Sequence, residues 1–523
     1  MRLTLIALLA LPTLAFAQGS LTPPGAPAET MKTLDQLEPR TPLQKGAAGV
    51  SLEDNGGYTI FRPGSYYLTA SFSVGSGTGI TIASNDVTLD LNGFTIASTA
   101  SPASGTGIII SDLRSNITIR NGHIRGATTY AAQVFTRGGF QSGLTSGSPN
   151  TTTQATRLTV TGVAQSGISG IGSVDQCAVD ICGQFGIAGV IIVDSLANNC
   201  GATAISGSTV SNCFGDASAG SGMGITAWVI SNSYGVSTSD TGLMASYTAT
   251  NCYGFSTSGK GLSAFSAANC RGQSGTAFGL DAYTAENCYG YSATTNGLYA
   301  EASATNCYGV SNSGTGLWAS SAQGCRGIST SGWGLAVDRT AENCFGQTTT
   351  GSHGLYAGDT ATNCSGNNTT GAPGASGLSS GGTATGCKGF TQAGSAGLRA
   401  TVAENCQGTT TTGTYGLNAT DSATNCSGTT ANTDINSITY GLKTDTALNC
   451  KGSAEIGTGL FAINATNCSG TSTSGSYGLR ASGTATSCRG TNSAGGVALS
   501  APIAIGCTAG TGTISATNRY NMP

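Results

Sequence analysis

The sequence is poor in charge and in histidine. Only 9% of the 523 residues are Asp, Glu, Lys or Arg, whereas an average protein has roughly 25%. The net charge is −3, which excludes a polybasic nucleic-acid-binding protein. The chain has two histidines, too few for a histidine-rich metal protein, and we expect neither a metal nor a cofactor. Because 38% of the residues are apolar, a disordered acidic chain is excluded as well.

Long apolar runs are also missing after the start of the chain. Residues 1–17 have the features of a secretory signal peptide: Arg2, the apolar run Leu3–Leu14, and the cleavage motif Ala15–Ala17. No later run approaches the ~18 apolar residues that a membrane helix needs. We therefore predict a secreted protein, extracellular or at the cell surface, without an integral membrane segment.

The sequence is rich in glycine, with 81 residues, and it is repetitive. From Cys252 onward the cysteines recur every 18–24 residues. The interval between Cys213 and Cys252 is doubled, and Ser233 occupies the missing position. Each unit contains Gly-Leu-x-Ala and then Ala-x-Asn-Cys-x-Gly, as in Gly297–Ala300 and Ala304–Gly309. A period near 20 across about 300 residues predicts a solenoid, in which we attribute the glycines to bends.

The composition of the repeat favours strands over helices, because Gly, Ser and Thr are poor in helix interiors. Leu298 and Ala300 alternate as inward residues of a strand do. Ala304 and Cys307 are three residues apart and need a bend between them, for which Asn306 is suited because Asn tolerates the left-handed conformation. We predict an all-β, single-stranded parallel β-helix with coils of 18–24 residues. Leu, Ala, Ala and Cys form its inward columns, and Asn forms a corner column.

The segment that follows the signal peptide, residues 18–49, is rich in proline. Within it Ala28–Leu37 could form one short helix with its apolar residues on one face. Two interpretations stay open, a flexible leader and an N-terminal cap that covers the first coil. A cap would protect the open edge that every solenoid has at its end.

We predict a single β-helix domain over residues 50–517. Its first part, 50–212, has irregular coils in which Ile, Val and Leu replace Ala and Cys as core residues. Residues 128–156 lack the motif and are predicted to form a side loop. The second part, 213–517, contains the cysteine repeats.

The first coils also carry a family resemblance. Val87–Gly93 and Ile117–Gly122 are alternating strands that end in Asn-Gly, within the run Gly64–Gly122, and Met31–Pro42 precedes them. These segments resemble secreted bacterial proteins of the right-handed parallel β-helix group, the pectate-lyase-like superfold. The resemblance implies a right-handed coil. It does not decide the activity, because members include polysaccharide lyases, hydrolases and adhesins.

The resemblance also implies where an enzyme would carry its carboxylates, on one face of adjacent coils. The candidates are Asp175, Asp180 and Asp194. The spacing of Asp175 and Asp194 matches one coil, so the two could stack as acid and base for glycoside cleavage or as calcium ligands. The alternative that we favour is solvated turn residues. The Asn-Thr-Asp, Asp-Asp, Gly-His-Gly and Arg-x-Lys set of polygalacturonases is absent.

The recurring cysteines predict a structural ladder, which includes Cys252, Cys270, Cys288, Cys307, Cys325, Cys344 and Cys364. An even total of eighteen in an exported chain is compatible with disulfides between coils. Stacked parallel side chains would struggle to reach the disulfide torsion of about 90°, and Ser233 can replace a buried thiol but not a disulfide. We favour buried thiols that act as small apolar groups, and both alternatives stay open.

The residue after each cysteine is predicted to point outward, and eight successive coils carry an aromatic residue or arginine there. These candidate ligand-binding residues are Phe214, Tyr234, Tyr253, Arg271, Tyr289, Tyr308, Arg326 and Phe345. Aromatic side chains lined up on a rigid surface could bind sugar rings or a partner protein. The alternative is stacking on one another, which stabilises the coils. Runs of Ser and Thr, such as Ser256–Ser258 and Thr348–Thr350, are expected to cover the outside.

Together these features predict an exported structural or binding β-helix that presents a rigid surface to carbohydrate or the cell envelope. The alternative is a polysaccharide lyase or glycoside hydrolase that acts on an acidic polysaccharide. We favour the non-catalytic function because the acidic residues of the repeats do not recur at one position. The expected partner is a polysaccharide or another cell-surface component, and not a nucleic acid.

Overall fold

A computed structural model describes residues 40–522. These residues form an all-β parallel solenoid of about 24 turns, which confirms the predicted fold. Of the strands, 54 join in one continuous sheet that winds along the molecule, and two form a separate hairpin. The residues described include no helix that could cross a membrane. The right-handed winding stays a prediction. The predicted signal peptide 1–17 and the helix Ala28–Leu37 lie outside the described residues.

The N-terminal coils, up to residue 211, have strands of uneven length. They are Thr41–Pro42, Val50–Leu52, Tyr58–Ile60, Gly64–Tyr67, Phe72–Val74, Ile80–Ile82, Val87–Asp90, Thr95–Ser98, Thr106–Ile110, Ile117–Arg125, Thr129–Ala131, Val134–Thr136, Ser142–Val163, Ile168–Asp175, Ala178–Cys182, Ile187–Val193, Leu196–Cys200, Ile205–Ser206 and Thr209–Ser211. Apart from the antiparallel pair Val50–Leu52 and Tyr58–Ile60, and the separate hairpin, they pair in parallel with the coils before and after.

Each later coil has a short strand that follows the corner. The short strands are Phe214–Asp216, Tyr234–Ser237, Tyr253–Ser256, Arg271–Ser274, Tyr289–Ser292, Tyr308–Ser311, Arg326–Ser329, Phe345–Thr348, Ser365–Asn368, Lys388–Thr391, Gln407–Thr410, Ser427–Thr430, Lys451–Ala454, Ser469–Ser472, Arg489–Asn492 and Thr508–Ala509. They stack residue on residue, so that Tyr253 pairs with Arg271 and Arg271 with Tyr289. The residues after successive cysteines therefore lie in one column.

The other part of each coil is a long strand, which in some coils is interrupted. The long strands are Ile225–Ser231, Leu243–Thr250, Leu262–Ala268, Leu280–Glu286, Leu298–Thr305, Leu317–Gln323, Leu335–Glu342, His353–Ala357, Thr360–Thr362, Ser376–Ser380, Thr383–Thr385, Ala396–Glu404, Tyr415–Thr424, Tyr440–Lys443, Thr446–Leu448, Thr458–Ala462, Asn464–Thr466, Tyr477–Ala481, Thr484–Thr486, Val497–Ile505 and Thr513–Tyr520. Register shifts within several of these strands absorb the differences in coil length.

The coil from Leu298 to Cys307 shows how the repeat builds the core. Leu298, Ala300, Ala304 and Cys307 are all buried and belong to four inward columns, as the sequence predicts. The bend between Ala304 and Cys307 lies at Asn306, whose φ of 52° is in the left-handed region. Asn tolerates this conformation because its short side chain can bond locally. The predicted Asn corner column is therefore confirmed.

Most repeat glycines serve close packing and not bends, which corrects our expectation. At Gly290, inward on a short strand, a Cβ atom would lie 2.1 Å from the carbonyl oxygen of Gly297. Gly254 has the same relation to Gly261. None of these four glycines has a φ in the left-handed region. Glycine is required here because two strands of the coil come into backbone contact where any side chain would collide.

We expected the Ser and Thr runs to lie on the outside of the solenoid, but part of each run is buried. Ser256 and Thr348, the first residues of two runs, are fully buried. The Ser256 hydroxyl donates a hydrogen bond to the Asp240 carbonyl at 2.6 Å and accepts one from the Gly259 N–H at 2.9 Å. The hydroxyl thus satisfies turn groups that would otherwise be buried without partners. Most coils of the repeat have a hydroxyl or an Asn side chain in this column, whereas one coil has Ala454 there.

The predicted side loop 128–156 is shorter than expected. A hairpin of Thr129–Ala131 and Val134–Thr136 projects from the solenoid. The chain then rejoins the main sheet as Ser142–Val163, parallel to Thr106–Ile110 on the coil before. Sequence alternation missed this strand because one of its fully buried positions is Thr153, a polar residue.

Candidate functional site

All eighteen cysteines are buried, and none is bonded to another in the described structure; this is compatible with the ladder thiols that we favoured. In the ladder, the Cys270 thiol donates to the carbonyl oxygens of Ala268 and Ala249, each at 3.2 Å. The backbone N–H of Cys270 donates to the sulfur of Cys288 at 3.4 Å. Cys270 is thus an apolar filler whose weak donor and acceptor are both used.

The ladder begins earlier than the sequence indicated. Ser233 holds the position predicted for it, where its hydroxyl accepts the Cys213 N–H at 3.1 Å. Ser195 is a second serine in the same column and accepts the Cys177 N–H at 3.2 Å. Burial raises the pKa of Cys177 and of Cys213 to about 11. These thiols are therefore neutral at physiological pH and unsuited to nucleophilic chemistry.

The three candidate aspartates do not gather into a catalytic group. Asp175 pairs in register with Val193, so the predicted stacking on Asp194 is wrong by one residue. Asp194 lies at the corner with a φ of 48°, where its carboxylate accepts the side-chain N–H of Asn212 at 2.9 Å. The Asp180 carboxylate accepts the side-chain N–H of Asn199 at 2.9 Å. Two of the three therefore have local amide partners, which is typical of structural carboxylates.

The eight residues that follow the ladder positions, seven after a cysteine and Tyr234 after Ser233, form a continuous stack, which we call the aromatic ladder. The rings of Tyr234 and Tyr253 are parallel within 14° and 4.7 Å apart. The guanidinium of Arg271 lies 5.3 Å from the ring centre of Tyr253 and 5.0 Å from that of Tyr289. Similar contacts join Phe214 to Tyr234, Tyr289 to Tyr308, and Arg326 to Tyr308 and Phe345.

This stacking determines what the aromatic ladder can offer to a ligand. Each rung contacts the next: Tyr234 and Tyr253 stack face to face, whereas Phe214 with Tyr234 and Tyr289 with Tyr308 meet edge to face. Much of the ring surface is therefore used within the ladder. A groove of about 900 Å³ runs beside the ladder along the Asn corner column, from Asp194 to Tyr289. The geometry favours a stabilising function for the ladder, and its function in ligand binding stays a prediction.

Replacing Arg271 with alanine is expected to lower the free energy of unfolding by about 1–2 kcal/mol, because two cation–π contacts are lost. Thermal unfolding of the variant measures the effect. Lys388→Ala is the matched control, since Lys388 lies in the same column between Ser365 and Gln407, which have no rings. Equal loss in both variants would contradict a stabilising guanidinium stack.

A second line of aromatic residues is more exposed, and our sequence analysis missed it. Trp228, Tyr247, Phe265 and Tyr283 lie on four successive long strands and are 41–60% exposed. We call them the exposed strip. Phe265 and Tyr283 stack at 4.8 Å, whereas Trp228 and Tyr247 meet edge to face at 6.4 Å. The signal in the sequence is an aromatic residue one or two positions after the second inward residue of these four strands.

A shallow concavity of about 360 Å³ borders one end of the exposed strip. Phe265 and Tyr283 form its apolar side, and Ser263, Asp281 and Glu301 supply polar groups. Lys260 forms an ion pair with Asp281, so that one positive charge is also held there. Exposed rings beside hydroxyl and carboxylate groups can contact the apolar faces of a sugar and accept hydrogen bonds from its hydroxyls.

A third aromatic cluster surrounds a histidine. The ring of His353 lies 5.9 Å from that of Trp333 and 5.8 Å from that of Tyr356. Among the described residues, its buried Nδ1 atom has no hydrogen-bond partner. Burial, and to a lesser degree the charge of Arg399, lowers the pKa of His353 to about 4. The imidazole is therefore neutral at physiological pH and packs as an aromatic ring.

Within residues 40–522, no group of three or more His, Cys, Asp or Glu side chains is placed to hold a metal ion. The exposed strip and its concavity offer aromatic rings that are 41–60% exposed, and they are our candidate site. Comparison of the chain with protein-family models, with curated proteins and with solved structures finds no match.

Proposed function

We propose that this chain is an exported, non-catalytic β-solenoid that binds an extended polysaccharide along the exposed strip. One observation carries the proposal: four aromatic side chains on four successive coils are 41–60% exposed. Soluble proteins rarely leave such a contiguous set of large rings uncovered unless it contacts something. The predicted relation to pectate-lyase-like secreted proteins is part of this proposal, and it is compatible with the solenoid fold.

The spacing of the strip supports a linear ligand. Neighbouring strands are about 4.8 Å apart, so four rungs span about 14 Å along the solenoid. The rungs are held by a hydrogen-bonded sheet, and a rigid surface loses little conformational entropy on binding. A linear polymer can therefore contact several rings in turn, and each contact adds to the affinity.

The charges beside the strip favour a neutral polysaccharide. Asp281 and Glu301 line the concavity, and only Asp281 has a cationic partner, Lys260. A polymer with many carboxylates would be repelled by Glu301, whereas neutral sugar hydroxyls can donate hydrogen bonds to it. The separate environments of Asp175, Asp180 and Asp194 support the non-catalytic part of the proposal.

Binding to a panel of insoluble neutral and acidic polysaccharides tests the proposal. The double variant Trp228→Ala, Phe265→Ala is expected to bind a neutral polysaccharide about tenfold or more weakly than the wild type, because two exposed rings are lost. Phe390→Ala is the matched control, since Phe390 is a similarly exposed aromatic residue outside the strip. We expect it to bind as the wild type does, and both proteins to melt normally.

Three results would reject the proposed function. The first is equal binding by the double variant and the wild type, and the second is binding to acidic polymers alone. The third is release of new reducing ends from any polysaccharide in the panel, because it would favour the lyase or hydrolase alternative.

A further inference from the structure

Two cysteines outside the ladder face each other directly. Cys182 and Cys200 end the strands Ala178–Cys182 and Leu196–Cys200 and pair in register on adjacent coils. Both side chains are fully buried. Their sulfur atoms are 3.1 Å apart, which is closer than two unbonded sulfurs normally pack.

The carbonyl contacts of this pair differ from those of the ladder. Cys270 donates to two carbonyl oxygens at 3.2 Å. The sulfur of Cys182 lies 3.8 Å from the Gln184 oxygen, and that of Cys200 lies 3.6 Å from the Asn198 oxygen. The two thiols are therefore held less by the backbone and are oriented toward each other.

The distance between the two strands also permits a covalent link. Paired residues of adjacent parallel strands have Cα atoms about 4.8 Å apart, inside the range of about 4.4–6.8 Å that disulfides span. Both cysteines follow a left-handed corner, at Ile181 with a φ of 55° and at Asn199 with a φ of 51°. The ladder cysteines also follow a left-handed residue, such as Asn269 before Cys270 with a φ of 53°, so the pair is distinguished by its sulfur contact of 3.1 Å.

We propose that Cys182 and Cys200 form a disulfide between two coils when the chain folds in an oxidising compartment, while the ladder cysteines stay thiols. The oxidising compartment rests on the export in the proposed function. The oxidant is a small-molecule or protein disulfide. The S–S bond of the oxidant breaks as the bond between Cys182 and Cys200 forms. The two cysteine thiols give up two electrons and two protons, which convert the oxidant into two thiols.

The link forms before the coils close. Hydrogen bonding to Cys182, together with burial, raises the pKa of Cys200 well above its ordinary value. A buried neutral thiol reacts slowly because the thiolate is the attacking form. The pair is therefore oxidised during folding, when the strands are still accessible, and the closed core then protects the bond.

Counting free thiols in the full-length protein tests the proposal. The denatured, reduced chain is refolded in a buffer of reduced and oxidised glutathione, and thiols are counted after a second denaturation without reductant. We expect sixteen, because two of the eighteen cysteines are consumed. Chymotryptic cleavage after Phe185, between the two cysteines, should give two peptides joined by a reducible bond.

Two variants make the assignment specific. Cys182→Ser should retain all seventeen of its thiols, since Cys200 loses its partner. Cys270→Ser is the matched control and should retain fifteen, because it removes a ladder thiol and leaves the pair intact. Serine occurs naturally in the ladder at Ser195 and Ser233, so this control should fold.

Eighteen thiols in the refolded wild type would overturn the proposal, and so would fewer than sixteen, which would show that the ladder is oxidised too. A peptide link between any other two cysteines would also overturn it. The test uses no polysaccharide, so failure of ligand binding and failure of the disulfide are separate results.

Discussion

Replacing Gly290 with alanine is expected to lower the free energy of unfolding of the surrounding coils by about 3 kcal/mol, a large effect for one methyl group. The new Cβ would lie 2.1 Å from the oxygen and 2.7 Å from the carbon of the Gly297 carbonyl, and 2.9 Å from the Cα of Leu298. All three atoms belong to the backbone, so no rotamer change relieves the collision. The coil has to open, and its pairing with both neighbours is strained.

Chemical denaturation and amide hydrogen exchange around residues 271–308 measure this effect. Gly75→Ala is the matched control, because no atom lies within 4 Å of its added Cβ and its φ is not in the left-handed region. We expect the control to stay within about 0.5 kcal/mol of the wild type. If the two variants unfold together, close approach does not explain the repeat glycines.

The second large effect is an expected loss of folding stability at acidic pH. The pKa of His353 is about 4 in the folded protein, against an ordinary value of 6.5. Between these values the unfolded chain binds a proton that the folded chain excludes, so stability falls as the pH falls from 6.5 to 4. Below pH 4 both states are protonated and the loss is complete. This histidine alone should cost about 3 kcal/mol of stability over that interval.

Denaturant unfolding at pH 7 and at pH 4 checks the effect. His353→Phe keeps a ring between Trp333 and Tyr356 and removes the titrating group, so it should lose about 3 kcal/mol less than the wild type between the two pH values. A His353→Phe variant that is as acid-sensitive as the wild type would contradict the explanation.

The core of the solenoid could be predicted from the sequence because one residue type recurs at each inward position. Leu298, Ala300 and Cys307 occupy columns that the period of about 20 residues reveals, and Asn306 lies at the corner that the inward spacing requires. These features depend on local alternation and on one left-handed residue for each coil, so no distant contact had to be known.

The exposed strip could not be found in the same way, since its spacing is irregular. Phe265 directly follows the inward Ala264, whereas Tyr247 is one residue further from Ala245 and a register shift compensates. The predicted stacking of Asp175 on Asp194 is wrong by one residue for a similar reason. Asp175 pairs with Val193, and Asp194 lies at the corner that follows the strand. The pairing of strands decides such positions, and a single sequence does not state it.

The register of the short strands has a consequence for how such a chain can evolve. Tyr253 pairs with Arg271, and Arg271 with Tyr289, without any shift between the coils. Each coil is thus an exchangeable repeat that contacts mainly the neighbouring coils. Duplication or loss of one unit in the gene would lengthen or shorten the rod by about 4.8 Å and leave both ends unchanged. The number of repeat units in the gene therefore sets the length of the molecule.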